Sequence, residues 1–166
     1  APFPGQYPYT RGLFAAGYAM FIFYSGLILG GRWGMASVGI YLLAGAVGMP
    51  VFAGGTGGIG RFFGPTGGYL IGYLPAVFLI GWIAQKTGPR PFGDILAMLC
   101  GTIVLYTCGL VWLKVLTGLA WPKAVAAGML PFLLGDALKI AVAVPVARVL
   151  RTVIHIEIPD PQPLPR

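Results

Sequence analysis

The chain has 166 residues, 57% of them hydrophobic and 9% charged, with a mean hydropathy of +0.84. Soluble domains carry about 25% charged residues, so the composition excludes an ordinary soluble domain and reads as an all-α, polytopic membrane protein. At about 20 residues per span, the length holds five or six helices and no large soluble domain. Eleven bases against four acids give a net charge of +7. The bases sit at predicted helix ends rather than in a run, which fits membrane flanks and excludes a nucleic-acid partner.

The opening Ala1-Pro2-Phe3-Pro4-Gly5 is neither a signal peptide nor an initiator sequence, which leaves room for residues upstream. Gly and Pro punctuation then divides the chain. A first span is expected at about 12–30, opened by Arg11 and closed by Gly30-Gly31-Arg32. A second covers about 33–50 and ends at Met49-Pro50, and a Gly-rich loop runs from Val51 to Thr66. The third span, about 67–85, stops before Lys86-Thr87-Gly88-Pro89-Arg90-Pro91, and the fourth covers about 94–118. Pro122 opens a segment, 123–130, too short to cross; the fifth span is about 132–153. Residues 1–155 thus read as one membrane-embedded helical domain and 156–166 as a Pro-rich C-terminal tail.

Five spans put the chain ends on opposite sides of a membrane. Arg32, Lys86, Arg90, Arg148 and Arg151 share the C-terminal side; Arg11, Arg61, Lys114 and Lys123 share the other. The excess of five over four places the C-terminus in the cytoplasm. Loop 51–66 and the start of the fifth span then face outward together. Small residues recur at packing distance, as Ala15/Ala19, Gly26/Gly30/Gly34, Ala44/Gly48 and Gly68/Gly72, and are expected to let helices approach closely. Cys100 and Cys108 share a helix at about 12 Å axial separation, too far for a disulfide, so both read as core thiols.

The chemistry concentrates in two places. Leu133-Leu134-Gly135-Asp136-Ala137-Leu138-Lys139-Ile140 sets two formal charges within an apolar span. Each costs about 2.5–3.5 kcal/mol at the bilayer centre on insertion scales, so neither is retained there without compensation. Three residues apart, Asp136 and Lys139 share a helix face and can pair or hold a polar ligand. The second place is the loop, with eight glycines in the fifteen positions 54–68. It lacks the Gly-Lys-Ser/Thr ending of a phosphate loop. Non-helical backbone at membrane depth lines a cavity or is buried in protein. Pro65 suits the first turn of the third span, whose free amides at Thr66-Gly67-Gly68 could face an anion. Phe62, Phe63 and Tyr69 supply walls. A cavity between loop and helix therefore suits a small acid with an apolar body and polar N–H groups.

Elsewhere the chemistry is sparse. His155 stands alone, so no metal site is expected. Ser25 and Ser37 have no histidine partner, which excludes a triad. Asp94 reads as an N-cap of the fourth span, and Lys114 as a snorkelling base. No cofactor and no enzymatic activity are expected.

At these residues the chain resembles the BioY family, the substrate-binding membrane subunits of energy-coupling-factor biotin transporters. The resemblance runs through Gly-Arg-Trp-Gly (31–34), Gly-Met-Pro-Val-Phe-Ala-Gly-Gly (48–55), Gly-Pro-Thr-Gly-Gly-Tyr-Leu-Ile-Gly (64–72) and Leu-Pro-Phe-Leu-Leu-Gly-Asp-Ala-Leu-Lys-Ile (130–140), in order, over roughly 26–154. It implies a six-helix fold of which this chain carries helices two to six. It also implies a biotin site formed by Asp136 and Lys139 together with Gly54, Gly55, Thr56, Gly64, Thr66, Gly67, Gly68 and Tyr69. The implied partners are biotin, a transmembrane coupling subunit and ATPase subunits, within the lipid of a prokaryotic plasma membrane or an organelle membrane. Two features depart from the pattern. Nothing here matches helix one or the Pro-x-Thr-Leu-Gln-Thr lead into helix two, and the loop after Phe52 offers Gly54, Gly55 and Thr56 where the family can present a larger polar side chain. The expected function is a non-catalytic biotin-binding transporter subunit. The alternative is a BioY-derived structural subunit of a larger membrane complex that has lost transport.

Overall fold

The computed structural model describes residues 8–52 and 55–153, with side chains from residue 20 onward except that of Pro131. Gly54, the side chains of Ala15 and Ala19, and the tail 156–166 lie outside the described residues. Among those described there are five α-helices: α1 (Pro8–Ala46), α2 (Gly67–Thr87), α3 (Pro91–Thr117), α4 (Trp121–Gly128) and α5 (Leu130–Val153). A short 3-10 turn, Ile59–Phe62, interrupts the loop before α2.

The first helix doubles back. Gly30 takes φ 79° and ψ 176°, a backbone state that glycine adopts without a Cβ penalty. The rings of Phe21 and Tyr41 lie 6.1 Å apart, whereas a straight helix would separate them by about 30 Å. α1 is therefore a hairpin of two arms, 8–29 and 31–46, and these are the first two expected spans. The turn is made at one glycine, so no loop separates the arms. By length and hydropathy, Gly67–Thr87 and Pro91–Thr117 can cross a membrane; Met20–Ala46 passes the same test, but it is folded over the turn at Gly30 and divides between the two arms of the hairpin. The segments 121–128 and 132–153, bent by 45°, qualify together as a broken span. The all-helical membrane fold is as expected. The segment 123–130, expected to be too short to cross, covers most of helix α4 and its junction with α5.

Small residues make the contacts their spacing indicated. A Cβ on Gly26 would lie 2.8 Å from Ile80 Cγ2, and one on Gly34 would lie 2.8 Å from the Ser25 carbonyl oxygen across the hairpin. Gly68 and Gly72 receive α3 at Trp112 and Cys108. Gly48 differs: at φ 106° it turns the chain out of α1. One core cluster joins Phe23, Leu27, Ile80 and Met98 to Ala143 and Ala147 of α5. A second joins Ile22, Val38, Leu42 and Val77 to Phe52 of the loop. Cys100 and Cys108 are free thiols, half-buried rather than in the core.

Candidate ligand-binding site

At the end of the bundle where the loop 51–66 crosses, a cavity of about 390 Å³ opens between the α1 hairpin, the loop and α2 to α5. That size falls within the range of small-molecule sites. Its wall is largely aromatic and aliphatic, with Phe23, Tyr41, Phe52, Tyr73 and Phe132 among the contributors. Into this apolar wall project a few polar groups: Thr56, Arg61, Thr66, Tyr106, Asp136 and Lys139.

Asp136 and Lys139 pair as their spacing requires, with Lys139 Nζ 2.8 Å from Asp136 Oδ1. Each side chain is 12% exposed. The Tyr106 hydroxyl of α3 donates to the other carboxylate oxygen of Asp136. Each carboxylate oxygen has two lone-pair sites, so both retain capacity to accept from a ligand. Asp136 is the buried residue in a stretch of α5 that is otherwise open, with Leu134 84% and Leu138 67% exposed.

The loop is fastened at both ends. Near its start, the Phe52 ring is seated over Gly45, where a Cβ would overlap it. The Tyr41 hydroxyl donates to the Val51 carbonyl at 3.0 Å, and the Gly58 amide donates to the Gly45 carbonyl at 2.6 Å. Near its end, Trp112 Nε1 of α3 donates to the Gly64 carbonyl at 2.9 Å. Tyr69 reaches across the cavity floor to donate to the Gly128 carbonyl of α4 at 2.7 Å.

Of the residues the sequence singled out, Asp136, Lys139, Thr56, Thr66 and Tyr69 meet at the cavity wall. Gly55, Gly64, Gly67 and Gly68 do not form that wall. Gly67 is buried under the Phe62 carbonyl and Gly68 under Trp112, so these glycines pack backbone against neighbours. The expected amide nest at the start of α2 is partly consumed, because the Gly67 amide already donates to the Gly64 carbonyl at 3.0 Å. Pro65 lies before the helix rather than in its first turn.

Residues missed by sequence reading come from distant elements: Tyr41, Tyr73, Tyr106 and Trp112. No local spacing points to them. Asp94 is a correction as well. The N-cap position of α3 belongs to Arg90, and fully buried Asp94 instead pairs with Arg151 of α5 at 2.8 Å. Asp136 and Lys139 are thus not the only compensated charges inside the bundle. Among the described residues, no group of His, Cys, Asp and Glu could hold a metal ion. Lys114, read as a snorkelling base, rests its ammonium 4.6 Å from the centre of the Trp121 ring.

The sequence matches the BioY family model over residues 12–155. It is 40% identical over 131 residues to a probable biotin transporter BioY of Pyrococcus horikoshii, covering 79% of this chain and 76% of that protein. With the biotin transporter BioY of Thermotoga maritima it shares 36% identity over 144 residues, 86% of this chain and 80% of the relative. The fold superposes on the solved S-component for biotin from an ECF-type ABC transporter with a TM-score of 0.75 and 34% identity, covering 81% of this chain and 73% of that one. The chain belongs to the BioY family.

Proposed function

We propose that this chain is the biotin-binding membrane subunit of a biotin uptake transporter and is itself non-catalytic. The observation that carries the reading is the Asp136–Lys139 pair at the wall of a largely apolar cavity of biotin-accommodating size. Biotin is an apolar bicycle with a ureido group and an acidic tail. Asp136 accepts a ureido N–H, Lys139 donates to the ureido carbonyl, and the aromatic wall covers the bicycle. Arg61, at the loop rim, is the cation placed to meet the carboxylate. Thr56, Thr66 and Tyr69 complete the wall, and the loop glycines let the cover close over the ligand. Two oppositely charged groups retained at such cost in an apolar span favour a working site over a purely structural subunit.

Isothermal titration of the purified protein with biotin is the test. Saturable one-site binding is expected, and absence of any biotin heat from folded protein would sink the reading. The partners we infer are a transmembrane coupling subunit and ATPases in a prokaryotic plasma membrane, since biotin relatives of this chain include an S-component from an ECF-type ABC transporter. Liposomes holding this chain alone should therefore bind biotin without concentrating it. Uphill accumulation would remove the need for partners.

The proposed orientation puts the loop outside and the α5 end, with its bases Arg148 and Arg151, in the cytoplasm. In a background lacking Cys100 and Cys108, Thr56→Cys and Pro161→Cys should label from opposite sides. Labelling of both from one side overturns the orientation.

A further inference from the structure

Asp94 and Arg151 lie at the end of the bundle opposite the cavity. Asp94 is 0% exposed, and Arg151 grips it with both terminal nitrogens, Nη1 to Oδ2 at 2.8 Å and Nη2 to Oδ1 at 3.0 Å. Arg151 Nη2 also donates to the Leu27 carbonyl at 2.8 Å. That carbonyl would bond the amide of Gly31 in an unbroken helix, but the turn at Gly30 removes the partner. One guanidinium thus fills the gap left by the hairpin turn and ties α1, α3 and α5 together.

The same two helices, α3 and α5, are joined at the other end by the Tyr106–Asp136 hydrogen bond. Between the two links lie Ala97 and Met98 of α3 against Ala143, Val144 and Ala147 of α5. These side chains are buried against one another and are all apolar, so between the two polar links only non-directional packing holds the register, and lipid outside, as apolar as the helices themselves, adds no hydrophobic drive to it. Fifteen residues separate Asp136 from Arg151, about 22 Å of helix, and they differ by about 60° in direction at 3.6 residues per turn. Both therefore address the bundle from nearly the same face of α5. Pro145 between them removes one backbone hydrogen bond.

We propose that Arg151 is a positioning residue for biotin binding. Its clamp on Asp94 and the Leu27 carbonyl sets the register of α5 against α3 and so the depth at which Asp136 and Lys139 meet the ligand. This rests on the biotin-binding reading above. A merely structural pair would act on stability alone, and the two roles separate in one variant. Replacing both charges in Asp94→Leu/Arg151→Met leaves no unpaired charge, a change that buried pairs often tolerate.

The double variant loses only the donor to the Leu27 carbonyl, so it should melt a few degrees below wild type yet bind biotin about tenfold more weakly. Spin labels at Val111→Cys on α3 and Leu138→Cys on α5, both exposed positions, read the register without biotin. This measurement uses the Cys100→Ala/Cys108→Ala background. The label distance should shift or broaden in the double variant. An unaltered distance distribution overturns the proposal, as does unaltered affinity where wild type binds. Should wild type bind no biotin, the functional reading falls and the label distance still decides the register claim. If the double variant fails to fold, Arg151→Lys takes its place. It keeps the charge but cannot fork to Asp94 and Leu27 at once, so affinity should fall about threefold with the same label shift. No change in either measurement overturns the proposal.

Discussion

Asp136→Ala should weaken biotin binding at least tenfold, and Lys139→Ala by a similar factor. Tenfold is about 1.4 kcal/mol, and breaking a buried ion pair by removing one partner commonly costs about 3–5 kcal/mol. Removal of Asp136 strips two groups at once, because Lys139 and the Tyr106 hydroxyl both point at its carboxylate. Lys139, 12% exposed at its side chain, then has no other acid to answer it among the described residues of the cavity wall. Asp136→Asn should retain more affinity than Asp136→Ala, since the amide oxygen still accepts one hydrogen bond. Titration calorimetry on folded variants measures all three. An Asp136→Ala protein that binds like wild type would place the ligand elsewhere.

Gly81→Ala should cost about 3 kcal/mol of stability, the upper part of the usual overpacking range. A Cβ at Gly81 would overlap the backbone of Gly30 and Gly31, the corner of the α1 hairpin. Backbone held in a left-handed turn has no rotamer to change, so the strain cannot be relieved by a side chain moving aside. Gly39→Ala is the matched control. It meets nothing within 4 Å, lies in the second arm of α1, and should be neutral or stabilising by up to about 1 kcal/mol. Thermal unfolding in detergent compares the two. Equal melting temperatures for both variants would mean that α2 does not rest on the hairpin corner.

The parts of this molecule that sequence made legible are those written in short range. Helical spacing joined Asp136 to Lys139, and glycine density marked the loop that crosses the cavity. Glycine pairs marked where helices touch. What escaped was set by contacts between distant segments. Tyr106 and Asp136 are thirty residues apart, and Arg151 meets Leu27 across 124. Read locally, Asp94 is a helix cap and Arg151 a flanking base; only the antiparallel packing of α3 and α5 turns them into a pair. The hairpin in α1 was legible as a boundary, but its sharpness was not, because Gly-Gly also opens ordinary loops. The loop glycines were legible as special yet ambiguous between lining a cavity and packing backbone, and the neighbours that decide between these lie in other helices.

Fastening the loop at both ends has a kinetic meaning. With Phe52 seated on Gly45 and Trp112 holding Gly64, the cover cannot swing away as a flap from a single hinge. Gly58, midway along, is tied as well through its amide to the Gly45 carbonyl, so the part left to deform is the arch between Gly58 and Gly64, with Gly60 inside it. Glycine torsions interconvert with little steric opposition, so the arch can part without pulling the Phe52 ring from its seat. Ligand exchange is then governed by a few backbone rotations, while the lifetime of the fold is governed by the helix contacts beneath. The two rates are thereby separable, and a substitution in the arch can slow the door without loosening the house.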